Sequence, residues 1–357
     1  MKKLLLSIVL IFSLICSCFA IELSAHSAIL YEPKTETVLF EKNADEAMAI
    51  ASTTKIMTAV VVLENALLSD VVTVPQSCVG VEGTSMYLKK GEKLTVEDLL
   101  YGMLLQSGND AAETLAYYTG GGSREKFVQM MNETADKIGM KNSSFKNPSG
   151  LPDDEHYSTA EDMARLAAYA IKIDSFAEIV STYEKKVSGR YLKNHNKLLK
   201  LYNGANGFKT GFTKVAGRCL VSGAKREDMQ LIAITLSAPD DWNDHRKLLD
   251  FGFENFDLYS NPQKPFNVDV VGGERTTVCV KSINDAIFLT KKGSDVSEII
   301  YLPKFIYAPI NYGDSVGKIE YYVDGVLRDS IEIKAVENVE EERSKTFFDK
   351  LFDFFKF

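Results

Sequence analysis

The sequence predicts an α+β fold, followed by a small all-β unit and a terminal amphipathic helix. Three observations predict it. Strand-like runs flank a helical middle in residues 24–255, the pattern turns β-rich throughout after Asn261-Pro262, and phenylalanines recur at helical spacing near the end of the chain. Composition fits a globular protein: 45% of the 357 residues are hydrophobic and 25% charged, which excludes collagen-like, coiled-coil and disordered chains. A net charge of −8, with no long Lys/Arg run, argues against nucleic acid as a partner. The four histidines show no HExxH or similar ligand spacing, so neither a metal nor another cofactor is expected.

Residues 1–20 read as a secretory signal peptide. Lys2 and Lys3 precede an apolar run from Leu4 to Phe19, and small residues are placed for a cut after Ala20. An uncleaved anchor and a lipoprotein cut before Cys18 are the alternatives. Of the cysteines that remain, Cys78, Cys219 and Cys279 are odd in number and far apart, so no disulfide framework is expected. Cys219, inside Cys219-Leu220-Val221, reads as a small buried hydrophobe.

Two strands, Ser27–Tyr31 and Thr37–Phe40, flank a Glu32-Pro33-Lys34 turn. A helix opens near Ser52 and runs through Ile56, Met57, Val60, Val61 and Leu63, apolar nearly all round and therefore buried. A second begins at Leu94-Thr95, where Thr95 and Asp98 approximate a capping box, and stops at Ser107-Gly108-Asn109-Asp110, after which another starts through Ala111. Helices at about 123–139 and 159–173 open on the N-cap candidates Ser123 and Thr159. Strands at Arg218–Ala224 and Leu231–Leu236 follow, and a helix with Leu248, Leu249, Phe251 and Phe253 closes a unit spanning 21–260. Strands first and last imply one sheet that joins both ends of this unit.

Residues 262–335 read as a separate β unit. Phe266–Val271, Thr276–Lys281, Ala286–Thr290 and Val316–Val323 have strand-like spacing, and Asp324-Gly325 signals a type I′ hairpin. Residues 336–357 combine an acidic linker with a helix over 343–357. Phe347, Phe348, Leu351, Phe352, Phe354 and Phe355 fall on one face of it, opposite Lys345, Asp349, Asp353 and Lys356. Such a helix suits a membrane interface, and it is too short in apolar residues to span, which takes about 20.

Three short motifs carry the chemistry: Ser52-Thr53-Thr54-Lys55, Ser107-Gly108-Asn109 and Lys209-Thr210-Gly211. Ser and Lys three apart at a helix start share a face, so the amine reaches the hydroxyl. A serine hydroxyl needs such a base, and no GxSxG supports a Ser-His-Asp arrangement. Lysine serves as the base only with a lowered pKa, which desolvation and a second cation both promote; Lys209 is a candidate for that cation. The same Ser-x-x-Lys spacing at Ser123, Ser143 and Ser315, and a second Ser-x-Asn at Ser282, lack this context. Ser123 reads instead as a helix cap and Ser315 as a strand start.

These motifs, with Ala51–Thr58, Leu105–Ala112, Asn147-Pro148-Ser149-Gly150-Leu151-Pro152 and Gly207–Thr213 around them, resemble the low-molecular-mass penicillin-binding proteins, which are serine-type D-alanyl-D-alanine carboxypeptidases. The resemblance covers about residues 24–255 and, less specifically, the β unit and tail. It implies a β-lactamase/transpeptidase-like domain, with an antiparallel sheet and a helical region, acting on peptidoglycan pentapeptides that end in D-Ala-D-Ala and binding β-lactam antibiotics. Ser52 would attack the carbonyl of the penultimate D-Ala, Lys55 would accept its proton, and Ser107 would relay a proton to the leaving D-alanine. Asn109 would hold the substrate amide, and Lys209 and Thr210 of the Lys209-Thr210-Gly211 motif would bind the terminal carboxylate. The N–H groups of Ser52 and Phe212 would form the oxyanion hole. The enzyme would lie on the outer face of the cytoplasmic membrane, held there by residues 343–357, with the β unit as a spacer.

One departure stands out. The family often carries an arginine before the last helix of this domain, whereas this chain reads Asp240-Asp241-Trp242-Asn243-Asp244 with Arg246 offset, so the cation that assists Lys209 stays open. Two rival readings also remain. A class A-like β-lactamase would need an acidic deacylation base, for which Glu155 and Glu161 lack the expected spacing; a peptidoglycan-binding module without catalysis would leave the intact motifs idle.

Overall fold

The computed structural model describes residues 21–342; the expected signal peptide and the amphipathic helix expected over 343–357 lie outside the described residues. The chain begins with β1 (Ser27–Glu32) and β2 (Thr37–Lys42), and then a 3-10 turn, Ala51–Thr54, leads into α1 (Lys55–Asn65). A small pair, β3 (Val71–Thr73) and β4 (Lys93–Thr95), precedes α2 (Val96–Leu105), α3 (Asn109–Thr119), α4 (Arg124–Lys137), α5 (Ala160–Ala170) and α6 (Asp174–Ser181). The hairpin of β5 (Glu184–Val187) and β6 (Arg190–Lys193) and the short α7 (Leu198–Leu201) lead into β7 (Ala205–Thr213), β8 (Gly217–Arg226), β9 (Met229–Leu236) and α8 (Asp241–Asn255).

Five of these strands form one antiparallel sheet in the order β2-β1-β9-β8-β7. The N-terminal β1 thus pairs with β9, Ile29 facing Ile234, and the sheet joins both ends of the unit as the strand pattern implied. Period-two alternation sorts its side chains. Ile29, Val221, Ile232 and Ile234 pack against α1–α6, whereas Leu30, Leu220, Leu231 and Ala233 pack under α8. At the centre of the first layer α1 buries every residue from Lys55 to Val62, which is why its sequence is apolar all round. Three expected caps hold: Thr95, Ser123 and Thr159 each accept the N–H three residues on.

The helix expected over 159–173 instead ends at Ala170, and α6, absent from the sequence reading, restarts at Asp174. The hairpin β5–β6 was likewise not expected. Beyond α8, β10 (Phe256–Asn261) pairs with β13 (Ala286–Lys291). A six-stranded sheet gathers β11 (Pro265–Val271), β12 (Thr277–Ser282), β14 (Val296–Tyr301), β15 (Phe305–Tyr307), β16 (Ser315–Val323) and β17 (Val326–Ala335) over its own apolar core. Asp324 and Gly325, both at positive φ, make the β16–β17 turn as a type I′ hairpin requires. The strand β14 was missed because it is an edge strand with five of its six residues exposed, so no in–out alternation marks it.

Two buried histidines brace the first unit. His156 lies 2.8 Å from Thr54 Oγ1 and accepts the Lys146 N–H at Nδ1, while His245 sits between the hydroxyls of Ser222 and Thr235. Burial pushes His156 down to about 4 and His245 to about 3, so both are neutral in the fold. The unfolded chain binds protons at these sites below about 6.5 and the fold does not, so stability falls as pH drops through that window. We expect each histidine to remove about 2 kcal/mol between pH 7 and 5, with His156→Gln reducing that acid sensitivity in thermal melts; an unchanged pH dependence in the variant would show that His156 does not contribute.

Candidate active site

The 3-10 turn that presents Ser52 is fixed from inside. Thr53 Oγ1 donates to Ile50 O (2.6 Å) and Thr54 Oγ1 to Ala51 O (2.8 Å), and Ala51 itself adopts φ +47°. Lys55, the first residue of α1, then lies beside Ser52. Its Nζ is 2.9 Å from Ser52 Oγ, 2.7 Å from Asn109 Oδ1 and 2.7 Å from the Ser149 carbonyl, and the side chain is fully buried. Burial first, and then the positive charge of Lys209, hold the Lys55 amine well below the usual lysine range. In its free-amine form Nζ can accept a hydrogen bond from the Ser52 hydroxyl and keep two N–H donors, one each for Asn109 and Ser149.

Each partner of Lys55 is positioned by its own local device. Ser107 turns the chain at φ +62°, and Asn109 becomes the first residue of α3, rather than part of an extended loop. Asn109 Nδ2 donates to Glu82 O (2.6 Å), while the carboxylate of Asp110 accepts Ser85 Oγ and the N–H groups of Met86 and Leu88, so segment 82–88 closes over the site. A Cβ on Gly83 would stand 2.6 Å from Asn109 Nδ2. The Ser149 carbonyl is aimed by Asn147, whose Oδ1 accepts the N–H groups of Ser149, Gly150 and Leu151.

The opposite wall is β7, one of the two edge strands of the five-stranded sheet. Lys209 is buried and donates to Thr210 O (2.8 Å), and burial lowers its amine to about 7. A Cβ at Gly211 would lie 3.0 Å from the Ser52 nitrogen, so glycine lets β7 pass directly against the serine. Ser52, Ser107, Thr210, Gly211 and Phe212 line a cleft of about 890 Å³, whereas Lys55, Asn109 and Lys209 stand buried close to this wall. The cleft extends beyond the motifs to Tyr183, His195, Arg218, Asp241 and Trp242, none of which the sequence reading assigned to the site. Arg246 points elsewhere: it is exposed and bonds to Asn243. Glu155 and Glu161 are ion-paired at the surface with Lys146 and Arg165, and neither lines the cleft.

Residues 16–240 match the family described as D-alanyl-D-alanine carboxypeptidase. The chain belongs to this family. Residues 253–341 match the penicillin-binding protein 5 C-terminal domain. The D-alanyl-D-alanine carboxypeptidase DacF of Bacillus subtilis is 35% identical over 342 residues, covering 90% of this chain and 88% of that protein. The carboxypeptidase DacC of Escherichia coli is 34% identical, with 92% and 87% covered. Among solved structures, penicillin-binding protein 5 of Haemophilus influenzae superposes with a TM-score of 0.75 at 29% identity, over 90% of this chain and 98% of that one.

The two lysines give a direct electrostatic test. Removing the neighbouring positive charge in Lys209→Met should raise the Lys55 pKa, followed through the lysine side-chain NMR signals. A Lys55 titration that does not move upward would mean that the two amines do not sense one another.

Proposed function

We propose that this chain removes the terminal D-alanine from peptidoglycan stem peptides through an acyl-enzyme on Ser52. The observation that carries the reading is the buried Lys55 amine, 2.9 Å from Ser52 Oγ and held below the usual lysine range. Ser52 attacks the carbonyl of the penultimate D-Ala as Lys55 takes its proton. The Ser52 and Phe212 N–H groups hold the oxyanion, for which one donor is worth about 2.7–4 kcal/mol in comparable sites. The tetrahedral intermediate collapses, the proton passes by way of Ser107 to the leaving D-alanine, and water then hydrolyses the ester. Asn109 aligns the substrate amide, and Lys209 and Thr210 receive the terminal carboxylate. A β-lactam enters by the same attack.

A fluorescent penicillin should label Ser52, identified by peptide mass mapping; an adduct on Ser123, Ser143 or Ser315 would reject the assignment. Lys55→Arg, which cannot shed its proton, should abolish labelling with the fold intact.

The pH profile has a defined sign. Loss of the Lys55 proton, well below the usual lysine range, should raise kcat/KM with pH, and loss of the Lys209 charge near pH 7 in the free enzyme should lower it, so the two limbs belong to the pair. Lys209→Arg should remove the alkaline limb, and its persistence would assign that limb to another group.

We further propose an enzyme exported across the cytoplasmic membrane and held on its outer face, with a catalytic unit over 21–260, a β spacer over 262–335 and an anchor over 343–357. Residues up to Glu342 bond back into the fold, Glu342 N–H to Gly272 O and Val339 to Ile310, so truncation belongs after Glu342. That variant should leave liposomes while keeping its activity on a small D-Ala-D-Ala peptide; undiminished sedimentation with liposomes would place the anchor elsewhere.

A further inference from the structure

The cleft holds a guanidinium that none of the three motifs accounts for. Arg218 begins the second pair of β8, directly across from Phe212 on β7, and lines the cleft together with Thr210 and Phe212. Its Nη2 donates to Asp241 Oδ1 at 2.9 Å, and its guanidinium carbon lies 5.8 Å from the Trp242 ring centroid. Asp241 is itself held in place, being buried and accepting the Trp242 N–H on the same oxygen. Only one prong of the fork is therefore tied. The Arg218 Nε–H is buried and has no partner among the described residues, while the side chain keeps 41% of its surface exposed, so the open part of the guanidinium is its terminal N–H groups.

The surroundings narrow the ligand to an anion. Lys193, Lys197, Lys200 and Arg218 line the cleft and Asp241 is the one acid among its lining residues, although the whole chain carries −8. Of these cations the lysines are exposed at the surface, whereas Arg218 is half-buried and is held by the buried Asp241 carboxylate as well as lying near the Trp242 ring. Lys209, on the same strand as Thr210, loses its charge near pH 7, so it is a partial cation at working pH. A guanidinium stays charged and offers two parallel N–H donors to a carboxylate.

We propose that Arg218 is the second cation for the C-terminal carboxylate of the substrate peptide, acting beside Thr210 and Lys209, and that Asp241 and Trp242 are its positioning residues. The proposal rests on the carboxypeptidase reading above. In it, β8 supplies the arginine that this family often carries before its last helix, and the acidic stretch Asp240-Asp241 holds that arginine from the helix side instead.

The test compares two substrates on the mature protein: a peptide ending in D-Ala-D-Ala with a free carboxylate, and the same peptide as its C-terminal amide. Arg218→Gln should lower kcat/KM on the acid by about 10- to 100-fold, mainly through KM, because a charge-assisted hydrogen-bond pair is lost. The slow reaction of the amide should change by less than about twofold, since it presents no carboxylate to the missing charge. Asp241→Asn should produce a smaller loss, again confined to the acid. Because Arg218→Gln leaves Asp241 without its cation, the double variant Arg218→Gln/Asp241→Asn restores a neutral pair for the fold, and it should show the same acid-only loss with a near-normal melting temperature. An equal loss on acid and amide, or an acid reaction within twofold of wild type, would overturn the assignment of Arg218 alone. A wild-type protein that releases no D-alanine from the acid would overturn the carboxypeptidase reading together with this one.

Discussion

Everything around the cleft converges on keeping one amine dry. Lys55 is fully buried at the start of α1, and its three hydrogen-bond partners come from three separate stretches of chain: the turn at Ser52, the first residue of α3 at Asn109, and the carbonyl at Ser149. Withdrawing such a group from water disfavours its charged form, and the nearby Lys209 adds to the effect. On the proposed mechanism, a hydrated Lys55 would hold its proton at neutral pH and leave Ser52 without a base. The apolar helix α1, the Asn147 turn and the closure of segment 82–88 by Asp110 all serve that exclusion of water.

The second demand is close approach. The edge strand β7 must pass the Ser52 turn nearly in backbone contact, and Gly211 meets that demand by lacking a Cβ. Gly150 does the same on the other side, where a Cβ would strike the Ala51 carbonyl at 1.9 Å. Two glycines on separate segments thus bracket the turn that carries the serine, and side chains as small as alanine would push it out of register with Lys55. The sheet gives β7 its support through β8, and β8 brings Arg218 across from Phe212 into the lining of the same cleft.

Much of this was legible in the sequence. The strand-like runs within β1, β8 and β9, the all-apolar α1 and the caps Thr95, Ser123 and Thr159 report local physics, and the structure keeps them. The residues of the three motifs also gather at one place. What escaped was made by backbone or by register. The Ser149 carbonyl carries no residue-type signal, since any residue there has one. Arg218 sits in a strand that the sequence did reveal, but its place opposite Phe212 follows from how the Thr213–Gly217 turn closes the β7–β8 pair. The edge strand β14, largely exposed, has no alternation to read.

The pairing of β1 with β9 has a consequence for how the chain reaches this state. Ile29 faces Ile234, with all the helices of the first core lying between them in sequence, and Ser24 and Ala25 are tied to Asp244 of α8. A chain delivered N-terminus first therefore holds one apolar strand without its main partner until some two hundred residues more have arrived. During that interval β1 and β2 form at most an isolated hairpin, which is marginal on its own in water. The wait exposes strand edges to other chains, and a chaperone or tethered carrier that covers β1 would protect it through that interval. Completion of the sheet and assembly of the cleft are then a single late event, because β7, β8 and β9 supply both.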